Sequence, residues 1–446
     1  MRHLLIGISE LAHLDDGNKG PVCGNNLTNK EKLISNGMAV LIENGIISKI
    51  DQEENLIDEF LPSIKNIKDR FLKNEVTNFN LDNLTLTHAG GNSIIPGLID
   101  AHTHLLWDGD RSNEVGMRMK GMSYGEISDA GGGIASTVKD TRNSTDERLT
   151  KLGELRLYEA LKNGTTALEA KSGYGLNTES ELRLLSVMND LAFDTKTPSI
   201  DITWMGAHDV PPGENSKEIR KREYIDEILN IQIPEVVEQG YARNCDVFCE
   251  PGWYNIEETE NILDAATNAG LSARLHIDEF KDGGGADLAA KKGVDTADHT
   301  LYSNKESREK MAKSNVIQGF LPGVPYTMGL GDWPPIKHCI ENNQPWTIAT
   351  DFNPNCRILS LPSIASICVQ RLGIDPLAIL CAATRNASET VIHRSKNPHG
   401  MIKKGYVANM NIVNGERWEG WCLQFGSSPF KATILQGDTV FHSNSN

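Results

Sequence analysis

From Ile94 to about Arg394 the chain repeats one pattern. Short runs of apolar, β-branched residues alternate with longer stretches whose apolar residues recur three and four apart. The short runs predict eight strands, at Ile95–His104, Thr166–Lys171, Ile202–Ala207, Cys245–Cys249, Ala273–Ile277, Asp295–Asp298, Val316–Leu321 and Thr347–Asp351. The longer stretches predict helices such as Thr145–Asn163 and Glu179–Leu191. The first of these opens on Thr-Asp-Glu and stops at Asn163-Gly164, an acidic start and a glycine stop that suit the helix dipole and its termination. Eight strand–helix units predict an α/β chain whose residues 93–394 close into a (β/α)8 TIM-like barrel. The active site of such a barrel sits at the C-terminal ends of its strands.

The flanks follow a different rhythm. Residues 1–92 hold short strand-like runs such as Met38–Ile42 and Ile46–Ile50, joined by the hairpin signal Glu43-Asn44-Gly45. Residues 395–446 hold similar runs at Met410–Val413, Ala432–Leu435 and Thr439–His442. Together they predict a small β-sandwich domain built from both termini. Residues 51–88 are charged and Asn-rich with a helical middle at Asn55–Asn74, and read equally as an insertion in that domain or as a surface loop.

Composition narrows the class. The chain has 446 residues and a net charge of −16, which disfavours nucleic acid and anionic membranes as partners but leaves room for an anionic small molecule. The eight cysteines include no CxxC pair, so neither a zinc ribbon nor a redox dithiol is indicated. No apolar stretch approaches the ~20 residues of a membrane span. The opening MRHLLIGISELAHL lacks the pattern of an export signal, so the cytosol is the expected compartment.

The chemistry gathers where the predicted strands end. The first run finishes in His102-Thr103-His104, and a strand turns residues i and i+2 to one face. Two such imidazoles can grip one borderline-soft metal, although an isolated His-x-His is more often an ordinary surface or core pair. Further runs end in RLHIDEF (His276, Glu279), TADHT (His299) and TIATDFNPN (Asp351). Three histidines and an aspartate make a first shell with a place left for water, and a metal of that kind makes hydroxide available near neutral pH. Glu279, His299 and Asp351 are the candidates for moving the proton. Asp298, beside His299, reads more simply as a turn or capping residue.

This His-x-His, His, His, Asp series resembles the amidohydrolase superfamily. The block DGDRSNEVGMRMKGMSYGEISDAGGGIASTVKDTR, with AKSGYGL, GAHDVPP, HIDEF and DFNP, is similar to the imidazolonepropionase family across essentially the whole barrel. The resemblance implies hydrolysis of the amide-like ring C–N bond of 4-imidazolone-5-propanoate to N-formimidoyl-L-glutamate, a step of histidine degradation. It implies one zinc or iron ion per chain held by His102, His104, His276 and Asp351, and a homodimer. Arg111 would clamp the substrate carboxylate, a task suited to a guanidinium fork. Tyr124, Tyr174 and His208 would line the pocket, Glu279 and Asn353 would meet the ring side, and His299 would polarise the carbonyl or carry a proton. Lys171 would be structural rather than a metal bridge. After Asn353-Pro354 the family pattern usually has Gly and a small hydroxyl residue; here Asn355 and Cys356 stand there as candidate substrate contacts. Asn tolerates a left-handed backbone, whereas a thiol donates more weakly than a hydroxyl. Each residue also has a plainer reading: Arg111 as a surface ion pair, the tyrosines as core. A purine or pyrimidine deaminase of the same superfamily and a non-catalytic assembly subunit are the competing readings. The filled ligand positions disfavour the latter.

Overall fold

The computed structural model describes residues 2–61, 72–81, 83–392 and 397–443, apart from the side chains of Tyr124, Ser128 and Asp129. Eight parallel strands lie side by side in chain order: Leu98–Asp100, Thr165–Lys171, Ser199–Ala207, Asn244–Cys249, Ser272–Ile277, Thr296–His299, Ile317–Phe320 and Trp346–Ile348. They are buried almost throughout, as strands covered by helices outside and side chains inside must be. The predicted helices form where their end signals stand. Asp146–Lys162 starts at Thr145, whose side chain accepts from the Arg148 amide, and ends at Asn163 before Gly164, with φ of 82°.

The barrel closes beyond the ends of its first and last strands. Thr103 and Phe352 form a parallel bridge, with the Asp351 amide 3.1 Å from the His102 carbonyl and the His104 amide 2.8 Å from the Phe352 carbonyl. The seam therefore runs through the residues singled out for chemistry.

Two expected strands are revised. Ile95–His104 is not one strand. Ile94–Pro96 pairs antiparallel with Met410–Val413 in a terminal sheet, and the chain enters the barrel only at Leu98. Gly97 makes that transfer because a Cβ there would lie 2.5 Å from Thr166 Cγ2. The last barrel strand stops at Ile348, so Asp351 lies past it, with φ of 49°.

The termini form two sheets. One orders Ile46–Gln52, Met38–Glu43, Arg2–Ile6, Leu84–His88 and Thr77–Leu81; the other orders Asp438–His442, Phe430–Leu435, Met410–Val413, Ile94–Pro96, Glu10–Ala12 and Ile34–Asn36. Leu5, Val40, Ile42 and Ile47 of the first pack with Ile94, Met410, Ile412 and Ile434 of the second, giving a sandwich with contributions from both ends of the chain. Among the described residues of 51–88, Glu53–Phe60 is helical and Thr77–Leu81 and Leu84–His88 are strands, the latter paired parallel with Arg2–Ile6. The remainder of the expected Asn55–Asn74 helix falls largely on residues 62–71, outside the described residues. Among the described residues no helix is long and apolar enough to cross a membrane.

Candidate metal centre and substrate pocket

His102 and His104 follow the first strand in the extended backbone held by the closing bridge. Both rings turn inward, with centroids 5.5 Å apart. His276, near the end of the fifth strand, brings its ring centroid to 4.4 Å from that of His102. His102 Nδ1 is 2.8 Å from Asp298 Oδ2, and His276 Nδ1 is 3.0 Å from Asp246 Oδ1. A carboxylate at Nδ1 selects the tautomer that carries its proton there, which leaves a lone pair on Nε2. These Nε2 lone pairs converge: His276 Nε2 lies 3.5 Å from His104 Nε2, and Asp351 Oδ1 lies 3.4 Å and 3.7 Å from the Nε2 atoms of His102 and His104. His102 Nε2 and Asp351 Oδ1 are buried with no hydrogen-bond partner.

Orphaned acceptors facing one another cost free energy unless a cation sits among them. Within His102, His104 and Asp351, and within His102, His276 and His299, one donor atom per residue falls inside a 4.8 Å span. Burial pushes His102 and His104 well below the usual histidine range, so both are neutral, as a ligating imidazole must be. Burial also lifts Asp351 to about 7. A nearby cation opposes that rise. The residues present therefore fit a metal ion.

Beneath this centre lies a buried ionic layer. Lys171 Nζ meets Asp246 at 2.6 Å, Glu169 at 2.7 Å and Asp298 at 3.7 Å, and Arg274 Nη1 meets Glu169 at 3.1 Å. Burial opposes the charge on Lys171, but Asp246, Glu169 and Asp298 hold its pKa above the ordinary lysine value. Asp246 is held well below the carboxylate range despite burial, by His276 and Lys171. Lys171 is thus committed to Glu169 on its own strand and to Asp246 and Asp298 on the fourth and sixth, in keeping with a structural place.

Above the centre opens a small pocket of about 50 Å³ that reaches solvent on one side. It brings together Arg111, Tyr174, His208, Glu279, His299, Asn353 and Asn355 with His104, His276 and Asp351. His208 stacks on His104 with centroids 4.8 Å apart; burial and His276 push it down to about 3. Glu279 Oε2 is 3.8 Å from His299 Nε2, and burial, Asp351 and Glu250 raise the Glu279 carboxyl well above its ordinary value. Arg111 is buried, not a surface ion pair, and forms a two-pronged pair with Glu114. His299, Asp278 and Asp351 all have φ between 49° and 67°, so backbone strain collects on this rim.

Asn353 lines the pocket and has a further task there, and two expectations meet a different arrangement. The Asn353 side chain builds its own turn, accepting from the amides of Asn355 and Cys356 and donating to the Asp351 carbonyl at 2.9 Å. Cys356 is buried behind the wall, its Sγ 3.7 Å from the Thr350 carbonyl, and is not among the residues lining the pocket. Asp298 is no turn residue: it lies within the sixth strand and holds His102. The Tyr124 side chain lies outside the described residues.

No family profile matches the chain. Curated relatives do. An imidazolonepropionase of Geobacillus thermodenitrificans is 36% identical over 413 residues, covering 92% of each chain. That of Brevibacillus brevis is 33% identical over 437 residues, 97% of this chain and 96% of the relative. That of Alkaliphilus metalliredigens is 35% identical over 354 residues, 78% and 82% respectively.

The chain belongs to the imidazolonepropionase family.

Solved structures agree on the fold. A triazine hydrolase variant superposes with a TM-score of 0.68 at 12% identity, covering 100% of this chain and 96% of that one. An atrazine chlorohydrolase from Arthrobacter aurescens TC1, complexed with zinc and atraton, gives 0.64 at 12% identity, with 100% and 97% covered. This imidazolonepropionase-family chain thus shares its fold with those two hydrolases.

Several residues that shape the site in this member of the imidazolonepropionase family escape the sequence pattern. Asp246 sits inside CDVFC, Glu169 inside ALEAK, and Glu114 inside an amphipathic stretch. Glu250 accepts from the amides of Glu279, Phe280 and Lys281 at 3.0, 3.2 and 3.1 Å, and so shapes the turn that bears Glu279. The available signal was a carboxylate in an otherwise apolar strand, which is costly to bury without a partner.

Proposed function

We propose that the chain is an imidazolonepropionase: it hydrolyses the ring C–N bond of 4-imidazolone-5-propanoate, giving N-formimidoyl-L-glutamate. The observation that carries this reading is one pocket that joins a converging set of orphaned metal donors to a buried guanidinium aligned by Glu114. His102, His104, His276 and Asp351 are the proposed ligands. Three imidazoles and a carboxylate suit zinc or iron. A bound metal ion supplies Lewis acidity, which makes hydroxide available at neutral pH and stabilises negative charge on the carbonyl oxygen.

The chain's own groups do the rest. Arg111 binds the propanoate carboxylate and orients the ring. Tyr174 and His208 line the pocket beside His104 and limit how the ring can lie. Glu279 takes the proton from the attacking water and returns it to the ring nitrogen as the C–N bond breaks, so the added OH stays on the carbonyl carbon and the H on nitrogen. His299, beside Glu279, donates toward the ring carbonyl. Asp351 combines ligation with a place in the proton path.

The test is turnover of freshly generated substrate by purified protein, with and without chelator, beside metal analysis. Chelator-sensitive turnover with about one metal per chain supports the reading. Metal without turnover moves the reaction to another hydrolysis on the same barrel.

A further inference from the structure

Residues 108–133, after the first barrel strand, carry the short helix Asn113–Met119. Glu114 on that helix is buried and accepts from Arg111 Nε and Nη2, both at 2.8 Å, and from the Gly133 amide at 2.8 Å. One edge of the Arg111 guanidinium is therefore fixed by Glu114, and that edge sets where the rest of the fork points. Arg118, one turn on, donates from Nη1 to Asn355 Oδ1. Asn355 lines the pocket from the loop after the last barrel strand. Its amide donates to Asn353 Oδ1 at 2.8 Å, and Asn353 Nδ2 donates to the Asp351 carbonyl at 2.9 Å.

These bonds form one line. It runs from Asp351 at the metal end through Asn353, Asn355 and Arg118 to the helix that holds Glu114 and Arg111. Arg118–Asn355 is the hydrogen bond that ties this helix to the last strand's loop, beside a longer, exposed ion pair between Arg357 and Asp110 at 3.9 Å. We infer that Asn355 and Arg118 are positioning residues that set the distance between the metal end of the pocket and Arg111, and so select the length of the substrate's carboxylate arm. The inference rests on Arg111 as the carboxylate clamp. It adds that the clamp's placement is dictated from the opposite side of the barrel seam, by a side chain that glycine at 355 would not supply.

The test uses the metal-loaded enzyme and inhibition by imidazole-4-propanoate and by its homologues one carbon shorter and one longer. Asn355→Gly and Arg118→Ala are each expected to weaken the propanoate by about tenfold and to flatten the preference among the three lengths, with the loss in KM rather than kcat. The double variant should lose no more than either single one, since both break the same link. Asn355→Asp keeps the acceptor for Arg118 and should keep the preference. Arg111→Ala is the control. If it loses carboxylate binding while Asn355→Gly and Arg118→Ala keep their length preference, the inference is overturned and the clamp stands. If Arg111→Ala binds all three compounds as before, the clamp itself is overturned and the inference with it. A structural role alone would alter melting temperature or metal content without changing the preference among lengths.

Discussion

Asp246 Oδ1 lies 3.0 Å from His276 Nδ1, and the other oxygen of the same carboxylate lies 2.6 Å from Lys171 Nζ. One buried carboxylate thus sets the tautomer of a proposed metal ligand and neutralises the ammonium beneath it. Asp298 faces both groups with one oxygen: Oδ2 lies 2.8 Å from His102 Nδ1 and 3.7 Å from Lys171 Nζ.

Asp246→Asn keeps the shape but offers an amide that can present either its oxygen or its NH2 to His276. Loss of such a partner typically weakens metal affinity by about 10- to 100-fold. Competition against a metal indicator reads this directly. Affinity equal to that of the unaltered protein would remove Asp246 from the support of the centre.

Glu279→Gln should retain the metal and lose catalysis. Proton transfer by a positioned carboxyl contributes about 10²–10⁴-fold, and a fall in kcat of that order is expected with metal content unchanged. Near-normal turnover would shift the proton path to His299 or Asp351.

Gly97→Ala should destabilise the fold without altering the pocket chemistry. The added Cβ would collide with Thr166 Oγ1 and lie 2.5 Å from Thr166 Cγ2. Overpacking of this kind costs about 1–3 kcal/mol. Thermal unfolding of the metal-loaded protein checks it, and an unchanged midpoint would show that the strand-to-barrel transfer tolerates a side chain.

Asp16 contributes an acid-dependent term. Burial alone would raise its pKa, but bonds from Arg385 and Asn18 lower it to about 2 from 3.8. A depressed carboxylate adds stability that is full above the unfolded value and is lost as pH falls from about 4 towards 2. Asp16→Asn should therefore flatten the loss of stability with acid in that window relative to the unaltered chain. Denaturant melts at stepped pH measure it; parallel acid limbs for the two proteins would refute the link.

How much of this was legible beforehand follows the range of each interaction. Helix Asp146–Lys162 was readable to within a residue because Thr145, the acidic first turn and Gly164 act locally. The eight apolar runs were readable as strands for the same reason, since strand burial imprints a local pattern, although the bounds of the first, third and last differ by three residues or more. The segment Leu98–Asp100 was read too long because Ile94–Pro96 has the same apolar character but pairs in another sheet.

The sequence by itself determined the eight-strand barrel, the two β-rich termini and the inward histidines, since periodicity decides which side of an element is apolar. Tertiary structure alone decided that the barrel seam closes through Thr103 and Phe352, which sets His102 beside Asp351. It alone brought Glu169 and Lys171 of the second strand together with Asp246, Arg274 and Asp298 of the fourth, fifth and sixth in one buried layer. The physical reason is register. A side chain's face follows from its neighbours along the chain, but its partner across the barrel follows from how strands align once the sheet closes, and no local pattern records that alignment.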